Sequence, residues 1–479
     1  MVKNFYAGWA ESDITPENRV VELDGQYYQR LADGLHSRLK VVALMMQSEK
    51  KYSAMISIDN VGIPYDFVKE LQMVASSEIP GLKPEDIIIN TIHTHSAPSV
   101  SIRRNWWKTA KNAISSGEYR EIIKGKVVEA LKNAKASMKG AGVSINSDFA
   151  VIGHCRRVVY SDGTAEMYGS VSRDDFAGLE GGEDSCVEMM FFADDKKIPS
   201  GMIVNVACPS QVMEATYKIS SDFMGALREK LKKEFGPSFT TLCQISASGC
   251  QSPRDLSRNY RSRPDFWHED GVEEISNRLL EAVRRGWLKA KSKFDFKPAL
   301  KHSRLALNLP IRRVTYSEYI SAKKEIERLE KEMPSEKAFK VFCDEIHANE
   351  KIPGRPGPYD DKKRHFAMIR NNEAVVKRYE DQFKEPELTI DLHVLRLGNA
   401  VFASNPFELF LEYGHRIKAR SKADQTFVIQ IANGYEGYLP SPRAEELGGY
   451  GGMIINGKIG SDGGFKLVEE TLKIINGMF

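Results

Sequence analysis

Asp86-Ile-Ile-Ile-Asn-Thr-Ile92 runs directly into His93-Thr-His-Ser-Ala-Pro98, and this stretch does most to decide the fold. The apolar, branched run is typical of a buried strand. Side chains alternate along a strand, so we expect His93 and His95 to point the same way. Two imidazoles suit the rim of a pocket, where the strand gives way to a Ser/Pro loop. The plainer alternative is a pair of satisfied histidines at a strand end.

Strand-like and helix-like segments alternate on both sides of this stretch. The pattern predicts strands over 40–46, 55–58, 86–92, 201–206, 240–245, 388–397 and 400–404. It predicts helices over 65–73, 119–138, 224–235, 272–290 and 465–475. Such alternation favours an α/β fold, a mixed-sheet layered catalytic domain covered by helices. No internal repeat is visible in the sequence.

A highly charged segment interrupts this alternation at 317–385. It is rich in Glu and Lys and contains a Pro/Gly-rich turn at 352–358. We interpret it as a helical insertion or lid whose charges are solvated. Because no linker-like composition separates the rest of the chain, we expect a single catalytic domain over 1–479 that carries this insertion.

Composition excludes several classes of partner. Lys and Arg number 68 against 65 Asp and Glu, which gives no electrostatic case for nucleic acid or an anionic membrane. No apolar run is long enough to span a bilayer. The amino terminus has no signal region, so we expect a cytoplasmic protein as written, or a periplasmic or secreted one if a leader was removed. Six irregularly spaced cysteines do not make a disulfide framework. The oligomeric state stays open.

Four loops that follow predicted strands carry polar and small residues. They are the His93–Pro98 loop, residues 205–211, residues 246–254, and residues 405–408 with 433–438 further on. In open α/β sheets, loops at the carboxyl ends of strands converge on the ligand site. The sequence therefore predicts one pocket built by these loops.

Five short motifs carry a resemblance to a known family. They are Asp13-Ile-Thr-Pro16, His93-Thr-His-Ser-Ala-Pro98, Gly249-Cys-Gln-Ser-Pro253, Pro406-Phe-Glu408 and Tyr435-Glu-Gly-Tyr438. Together, and in this order, they resemble the neutral/alkaline (non-lysosomal) ceramidase family over nearly the whole chain. The resemblance implies an α/β zinc-dependent amidohydrolase acting on a small, lipid-like molecule.

The resemblance also implies roles for individual residues. The metal ligands would be His93, Glu408 and Tyr435, with Cys208 where the family has a second histidine. Ser252 would be the nucleophile, and His95 would act beside the metal. Arg156 and Tyr438 would bind substrate, and the cation of Arg254 suits an anionic or polar substrate group.

Two departures from the family pattern mark this chain as divergent. Cys208 replaces a histidine ligand, and a thiolate donates more charge and weakens the Lewis acidity of zinc. The alternatives are a site for another divalent metal and a site that has lost its metal; we favour retention because His93, Glu408 and Tyr435 persist. Cys250 replaces an aspartate near Ser252, which puts ceramide itself in question as the substrate. Both cysteines can also be small core residues. The chain ends at Phe479, so we expect no carboxyl-terminal β-sandwich of the kind found in ceramidases proper.

The sequence thus predicts a metal-dependent hydrolase, with zinc as the expected metal, that cleaves an amide or related bond. One alternative is a glycan- or glycoconjugate-directed hydrolase that uses Glu408 with another carboxylate and a Trp106–Trp107 platform. A second is a cysteine nucleophile, Cys208 or Cys250, activated by His95. A third is a non-catalytic binding protein that keeps the pocket.

Overall fold

The structure is a computed structural model that describes residues 5–26, 29–101, 110–257, 266–350 and 365–479, with the backbone alone over 346–350. Trp106, Trp107 and the predicted turn at 352–358 lie outside the described residues.

Strands and helices alternate along the described chain. The strands are β1 Phe5–Asp13, β2 Glu22–Leu23, β3 Arg30–Leu31, β4 Gly34–Leu35, β5 Lys40–Ser48, β6 Lys51–Ile58, β7 Ile87–Thr91, β8 Lys139–Gly140, β9 Gly142–Phe149, β10 His154–Cys155, β11 Arg157–Tyr160, β12 Ala165–Met167, β13 Phe176–Leu179, β14 Cys186–Ala193, β15 Pro199–Val206, β16 Lys218–Ile219, β17 Thr240–Ile245, β18 Gln251–Ser252, β19 Leu300–Pro310, β20 Glu387–Leu397, β21 Ala400–Ser404, β22 Glu408–Leu409, β23 Gln425–Ile429 and β24 Tyr438–Leu439. The helices are α1 Tyr65–Glu78, α2 Ser116–Ala136, α3 Asp222–Phe235, α4 His268–Ala290, α5 Tyr316–Glu332, α6 Ser335–Glu350, α7 His365–Asp381, α8 Leu411–Arg420, α9 Pro442–Leu447 and α10 Ser461–Gly477.

One order of elements occurs three times. In each unit three antiparallel strands are followed by a helix, a parallel strand and a second helix. The units are β1-β5-β6-α1-β7-α2, β9-β14-β15-α3-β17-α4 and β19-β20-β21-α8-β23-α10. No repeat is visible in the sequence because the units share topology and not residues. The layered, mixed-sheet α/β class predicted from the sequence is confirmed.

The inner strands β5, β15 and β21 are buried on both faces along most of their length, which explains their almost continuous apolar sequences, whereas the edge strand β19 is partly exposed. In β5, Val42 and Leu44 point into a central core that also contains Phe402 and Phe427, from the third sheet. Val41, from the same strand, points to the opposite core beneath α1 and α2. Burial of each such side chain contributes about 1.5–3 kcal/mol, so the shared core is what holds the sheets together.

Helix boundaries differ from the predicted ones where capping decides them. Helix α2 begins after Ser115, whose side chain accepts from the backbone N–H of Glu118 in a reciprocal capping box. The described part of the charged segment at 317–385 contains α5, α6 and α7, which share a small core of their own around Phe342 and Phe366. That this segment is an insertion or a lid stays a prediction. No helix in the described part of the chain is long and apolar enough to cross a membrane.

The parallel strand pairs of the three units meet at their carboxyl ends. Asn90, in β7, bridges to Ala432, just after β23. The N–H of Gln430 donates to the carbonyl of Ile245, at the end of β17, across 3.0 Å. The Nδ2 of Asn205, in β15, donates to the Val428 carbonyl across 2.8 Å. The loops that follow these strands are therefore brought to one place.

Candidate functional site

The two histidines that follow β7 face each other, and the local backbone explains why. The strand ends at Thr91, and His93 adopts a left-handed conformation with φ of 60°. The Nε2 atoms of His93 and His95 lie 3.3 Å apart, in a buried setting. The side chains share one side as predicted, but a turn at His93 produces this and not strand alternation. Such backbone strain is concentrated at functional sites.

His93 contacts a carboxylate and, through it, a phenol. Its Nε2 lies 3.7 Å from Oε2 of Glu408, and the hydroxyl of Tyr435 donates to Oε1 of Glu408 across 2.8 Å. Burial lowers the pKa of His93 to about 4, so its imidazole is neutral at neutral pH. Burial and the Glu408 charge raise the pKa of Tyr435 well above its ordinary value. Three residues predicted as metal ligands thus lie together.

Close backbone approach sets the position of this trio. The strand β22, which carries Glu408, pairs in parallel with β24. The N–H of Gly249 donates to the carbonyl of Leu409 across 2.8 Å, and a Cβ at Gly249 would lie 2.3 Å from the Glu408 carbonyl oxygen. A Cβ at Gly62 would lie 2.8 Å from the Tyr435 ring. Both positions therefore need glycine.

Arg156 lies on the other side of Glu408. Its Nη2 donates to the Tyr438 hydroxyl across 3.1 Å and to the Gly249 carbonyl across 2.9 Å, and it lies 3.8 Å from Oε2 of Glu408. The rings of Tyr438 and Tyr168 each lie 5.9 Å from the guanidinium. Although burial acts to lower it, Tyr438, Tyr168 and Glu408 hold the pKa of Arg156 above its ordinary value. Two of the three residues predicted to bind substrate, Arg156 and Tyr438, therefore belong to this cluster.

Ser252 is connected to the cluster by a residue that the sequence did not reveal. Strand β18, which contains Ser252, pairs with β10 directly before Arg156. The Oγ of Ser252 accepts from the Tyr168 hydroxyl and from the Arg254 backbone N–H, each across 3.0 Å. The guanidinium of Arg254 lies 5.7 Å from the Trp267 ring. The loop thus presents the Arg254 amide, and not its cation, to Ser252.

The structure does not bring Cys208 into the trio. Its thiol donates to the Ile152 carbonyl across 3.2 Å within an apolar cluster. In the described residues no three His, Cys, Asp or Glu side chains form a group that could hold a metal ion. The trio is not such a group, because only His93 and Glu408 are among those four residue types and its third member is Tyr435. Whether Cys208 is a ligand stays a prediction.

Cys250 occupies a core position beside Ser252. Its sulfur accepts from the backbone N–H of Leu411 across 3.5 Å. Burial raises the pKa of Cys250 to about 11 and that of Cys208 well above its ordinary value. Both thiols are therefore protonated at neutral pH, which suits packing better than nucleophilic attack.

Sequence reasoning missed three residues of the site. The Nε2 atoms of Gln211 and His95 are 2.9 Å apart, and Oε2 of Glu214 lies 3.3 Å from Nδ1 of His95. Tyr168 is the third, and its φ of 56° places it beneath Arg156. The predicted pocket loop after β15 ended at Gln211. Glu214 lies three residues further along the chain, and this proximity is the signal by which the sequence could have identified it. Nothing in the sequence around Tyr168 indicates its role.

The donor chemistry of the trio fits a zinc-like cation. The Nδ1 of His93 lies 2.7 Å from the Val61 carbonyl oxygen, which can only accept. The ring proton is therefore on Nδ1, and the Nε2 lone pair faces Glu408. A carbonyl that orients a ligand histidine in this way is common around protein metals. One nitrogen, a carboxylate and a phenol oxygen are ligand types that zinc accepts.

Solved structures with the same fold are found among ceramidases. A structure described as ceramidase complexed with C2 aligns with 99% of this chain and 75% of its own, with a TM-score of 0.70 and 16% sequence identity. Neutral ceramidase from Pseudomonas aeruginosa aligns with 100% of this chain and 75% of its own, with a TM-score of 0.70 and 15% identity.

At such identities the likeness establishes the fold, which confirms at that level the resemblance drawn from the sequence motifs. No protein-family model matches the chain. No curated protein sequence matches it either.

Proposed function

We propose that the protein is a metal-dependent hydrolase, with zinc as the expected metal, that cleaves an amide or related bond in a small, lipid-like substrate. The observation that carries this proposal is the buried convergence of His93 Nε2, the Glu408 carboxylate and the Tyr435 hydroxyl. A buried carboxylate needs a cationic partner, and Glu408 lies 3.8 Å from the Arg156 guanidinium. A metal would bind the face of Glu408 that is turned to His93 and Tyr435. The ceramidase fold supports an acyl-amide substrate class.

Each residue of the cluster has a part in this proposal. His93, Glu408 and Tyr435 would hold the metal, which when bound polarises a carbonyl and lowers the pKa of water. Ser252 is the proposed nucleophile, and His95 faces the same space from beside His93. Arg156 and Tyr438, joined by a 3.1 Å hydrogen bond, would orient a polar group of the substrate. Arg254 contributes its backbone amide to Ser252.

One observation favours the glycan-directed alternative strongly enough to test it. Glu214 is a second buried carboxylate at the site, and glycosidases use a pair of carboxyl groups. The contact between Glu214 and His95 accounts for this carboxylate without a glycosidic role, so we favour the amide bond. Activity against matched panels of N-acyl and glycosidic chromogenic substrates separates the two. Turnover of glycosides alone would replace the present proposal.

A binding protein without activity is the remaining alternative. It would turn over neither panel, while a lipid-like amide would still raise the melting temperature in a thermal-shift assay.

Metal content tests the proposal directly. Protein purified without added zinc is analysed by inductively coupled plasma mass spectrometry, beside three variants. We expect His93→Ala and Glu408→Ala to lose the metal, because each removes a ligand. Ser252→Ala should keep the metal and lose turnover. Full metal retention in His93→Ala would refute the ligand assignment.

A further inference from the structure

Gln211 and Glu214, three residues apart in one turn of the chain, each contact one nitrogen of the His95 ring. The N–H of Glu214 donates to the Gln211 carbonyl across 3.3 Å, which places the two side chains on the same side. Gln211 presents its Nε2 to His95 Nε2 at 2.9 Å, and Glu214 presents Oε2 to His95 Nδ1 at 3.3 Å. A Cβ at Gly25 would lie 2.5 Å from the same ring, so the imidazole is also closely confined from its side.

The hydrogen bonds that run from Arg156 through Gln211 to His95 determine which nitrogen of the His95 ring carries the proton. A guanidinium can only donate, and Nη1 of Arg156 donates to Oε1 of Gln211 across 3.2 Å. The amide nitrogen of Gln211 therefore faces His95 and donates to Nε2. Since Nε2 accepts, the proton of the neutral ring must lie on Nδ1. That nitrogen faces Glu214.

Glu214 needs this proton as much as the ring needs an acceptor. Glu214 is 1% exposed, and within the described residues neither its carboxylate oxygens nor His95 Nδ1 makes a well-aligned hydrogen bond, although Oε2 and Nδ1 lie 3.3 Å apart. A buried carboxylate without a partner is costly, so contact with the imidazole is what compensates it. Asp222, a buried carboxyl in the same part of the chain, already accepts from the backbone N–H groups of Met213 and Phe223.

We propose that Glu214 is a positioning residue, which accepts the Nδ1 proton of His95 and holds the ring as the Nδ1–H tautomer, so that the Nε2 lone pair accepts from Gln211 beside His93. The tautomer assignment follows from geometry alone. Its effect on turnover rests on the proposed hydrolase function. An acceptor at one imidazole nitrogen commonly fixes which nitrogen is free to act.

Two kinds of measurement test this role independently. Long-range 1H–15N NMR of protein with 15N-labelled histidine identifies the tautomer of each ring, and His95→Asn assigns the His95 signals by their loss. We expect Nδ1–H at His95 in the unmodified protein. In Glu214→Leu, the Nδ1 proton should lose its downfield, hydrogen-bonded shift. In Glu214→Gln the shift should stay, because the amide oxygen still accepts.

The loss of turnover should likewise be larger in Glu214→Leu than in Glu214→Gln. We expect Glu214→Leu to lower kcat about tenfold to a hundredfold with KM little changed, the range for a lost hydrogen bond to a charged group. Glu214→Gln should recover part of this loss. The matched control is Glu183→Leu, which removes a carboxylate 2.9 Å from Nδ1 of another histidine, His154. That control should alter the His154 signals and leave those of His95 unchanged.

Two results would overturn the positioning role of Glu214. An Nε2–H tautomer at His95 in the unmodified protein overturns the proposal, as does a Glu214→Leu variant with unchanged Nδ1 shift and kcat. If Glu214→Leu does not fold, the His95 tautomer in the unmodified protein and in Glu214→Gln still tests the proposal. Absence of any turnover alongside the expected tautomer would refute the hydrolase function and leave the positioning role intact.

Discussion

Tyr168 donates its phenolic hydrogen to the Oγ of Ser252 across 3.0 Å, from a backbone conformation that tyrosine rarely adopts. Its N–H donates to the Arg156 carbonyl across 2.7 Å, and its ring lies beneath the Arg156 guanidinium. Burial raises the pKa of Tyr168, so the hydroxyl stays a donor at neutral pH. Ser252 is thus tied to the arginine cluster through one phenol.

Removal of that hydroxyl should impair turnover with little effect on folding. We expect Tyr168→Phe to lower kcat/KM about tenfold, because Ser252 Oγ loses a hydrogen bond while the ring stays in place. Steady-state kinetics measure the loss, and melting temperature reports folding. The matched control is Tyr160→Phe, which removes a hydroxyl that donates to the Ser170 carbonyl across 3.3 Å. Equal activity in both variants would remove Tyr168 from the site.

The contact between Gly62 and Tyr435 should be sensitive to a single methyl group. In Gly62→Ala the new Cβ would lie 2.8 Å from the Tyr435 ring, so the ring must move away from Glu408. We expect metal affinity to fall about tenfold to a hundredfold, as for other residues that orient ligands. Gly125→Ala, in the exposed face of α2 with open space around it, is the control.

Gly125→Ala should keep the metal and gain up to about 1 kcal/mol of stability, from better helix propensity. Isothermal titration with zinc and denaturant unfolding measure the two effects. Unchanged zinc affinity in Gly62→Ala would contradict the placement of Tyr435.

Substitutions at Cys208 test whether it binds the metal. Because its thiol contacts the Ile152 carbonyl in an apolar cluster, we expect Cys208→Ala to keep the metal. Cys208→His, which restores the residue type of the ceramidase pattern, should destabilise the fold by about 1–3 kcal/mol through overpacking. Metal analysis and denaturant unfolding supply the readouts. Metal loss in Cys208→Ala would return this thiol to the ligand set.

A carboxyl away from the site gives the stability a pH dependence. Burial raises the pKa of Glu188 in β14 from 4.5 to about 7, with Lys418 at 3.2 Å only partly opposing it, and Asp184 adds to the rise. The folded state therefore binds the proton more tightly than the unfolded state, and stability falls as pH rises from 4.5 to 7.

The difference between those two pKa values corresponds to about 3 kcal/mol. Glu188→Gln removes the titrating carboxyl group. The free energy of unfolding of the variant, relative to that of the unmodified protein, should therefore increase by about 3 kcal/mol between pH 4.5 and pH 8. Urea unfolding at several pH values measures the change. A pH-independent difference between the two proteins would contradict the raised pKa.

Sequence patterns sufficed for the parts of the molecule that local chemistry decides. Apolar runs such as Asp86–Ile92 became strands, and the charged segment at 317–385 became helices with a small core. The loops after those strands met, as their order along the chain predicted. His93, Glu408 and Tyr435 could be chosen because short motifs carry them.

The remaining features depend on long-range geometry, which no local pattern encodes. The threefold recurrence of units is hidden because each unit meets the packing demands of its own neighbours with different residues. Glu214, which follows β15, acquires its role only when it is placed beside His95, and Tyr168, which follows β12, only when it is placed beside Ser252. The orientation of the Cys208 thiol toward Ile152 is likewise decided by packing, so sequence alignment by motif could not reveal it.

The meeting of three topologically equivalent units at their strand ends has a consequence for how this molecule can be divided or altered. Every unit supplies part of the pocket, so a separated fragment would lack the groups that the other two units provide. Cutting the gene at any boundary between units should yield pieces that regain function only when recombined. Gradual change of specificity must then proceed through coordinated adjustments in all three units, because no one of them is an exchangeable module.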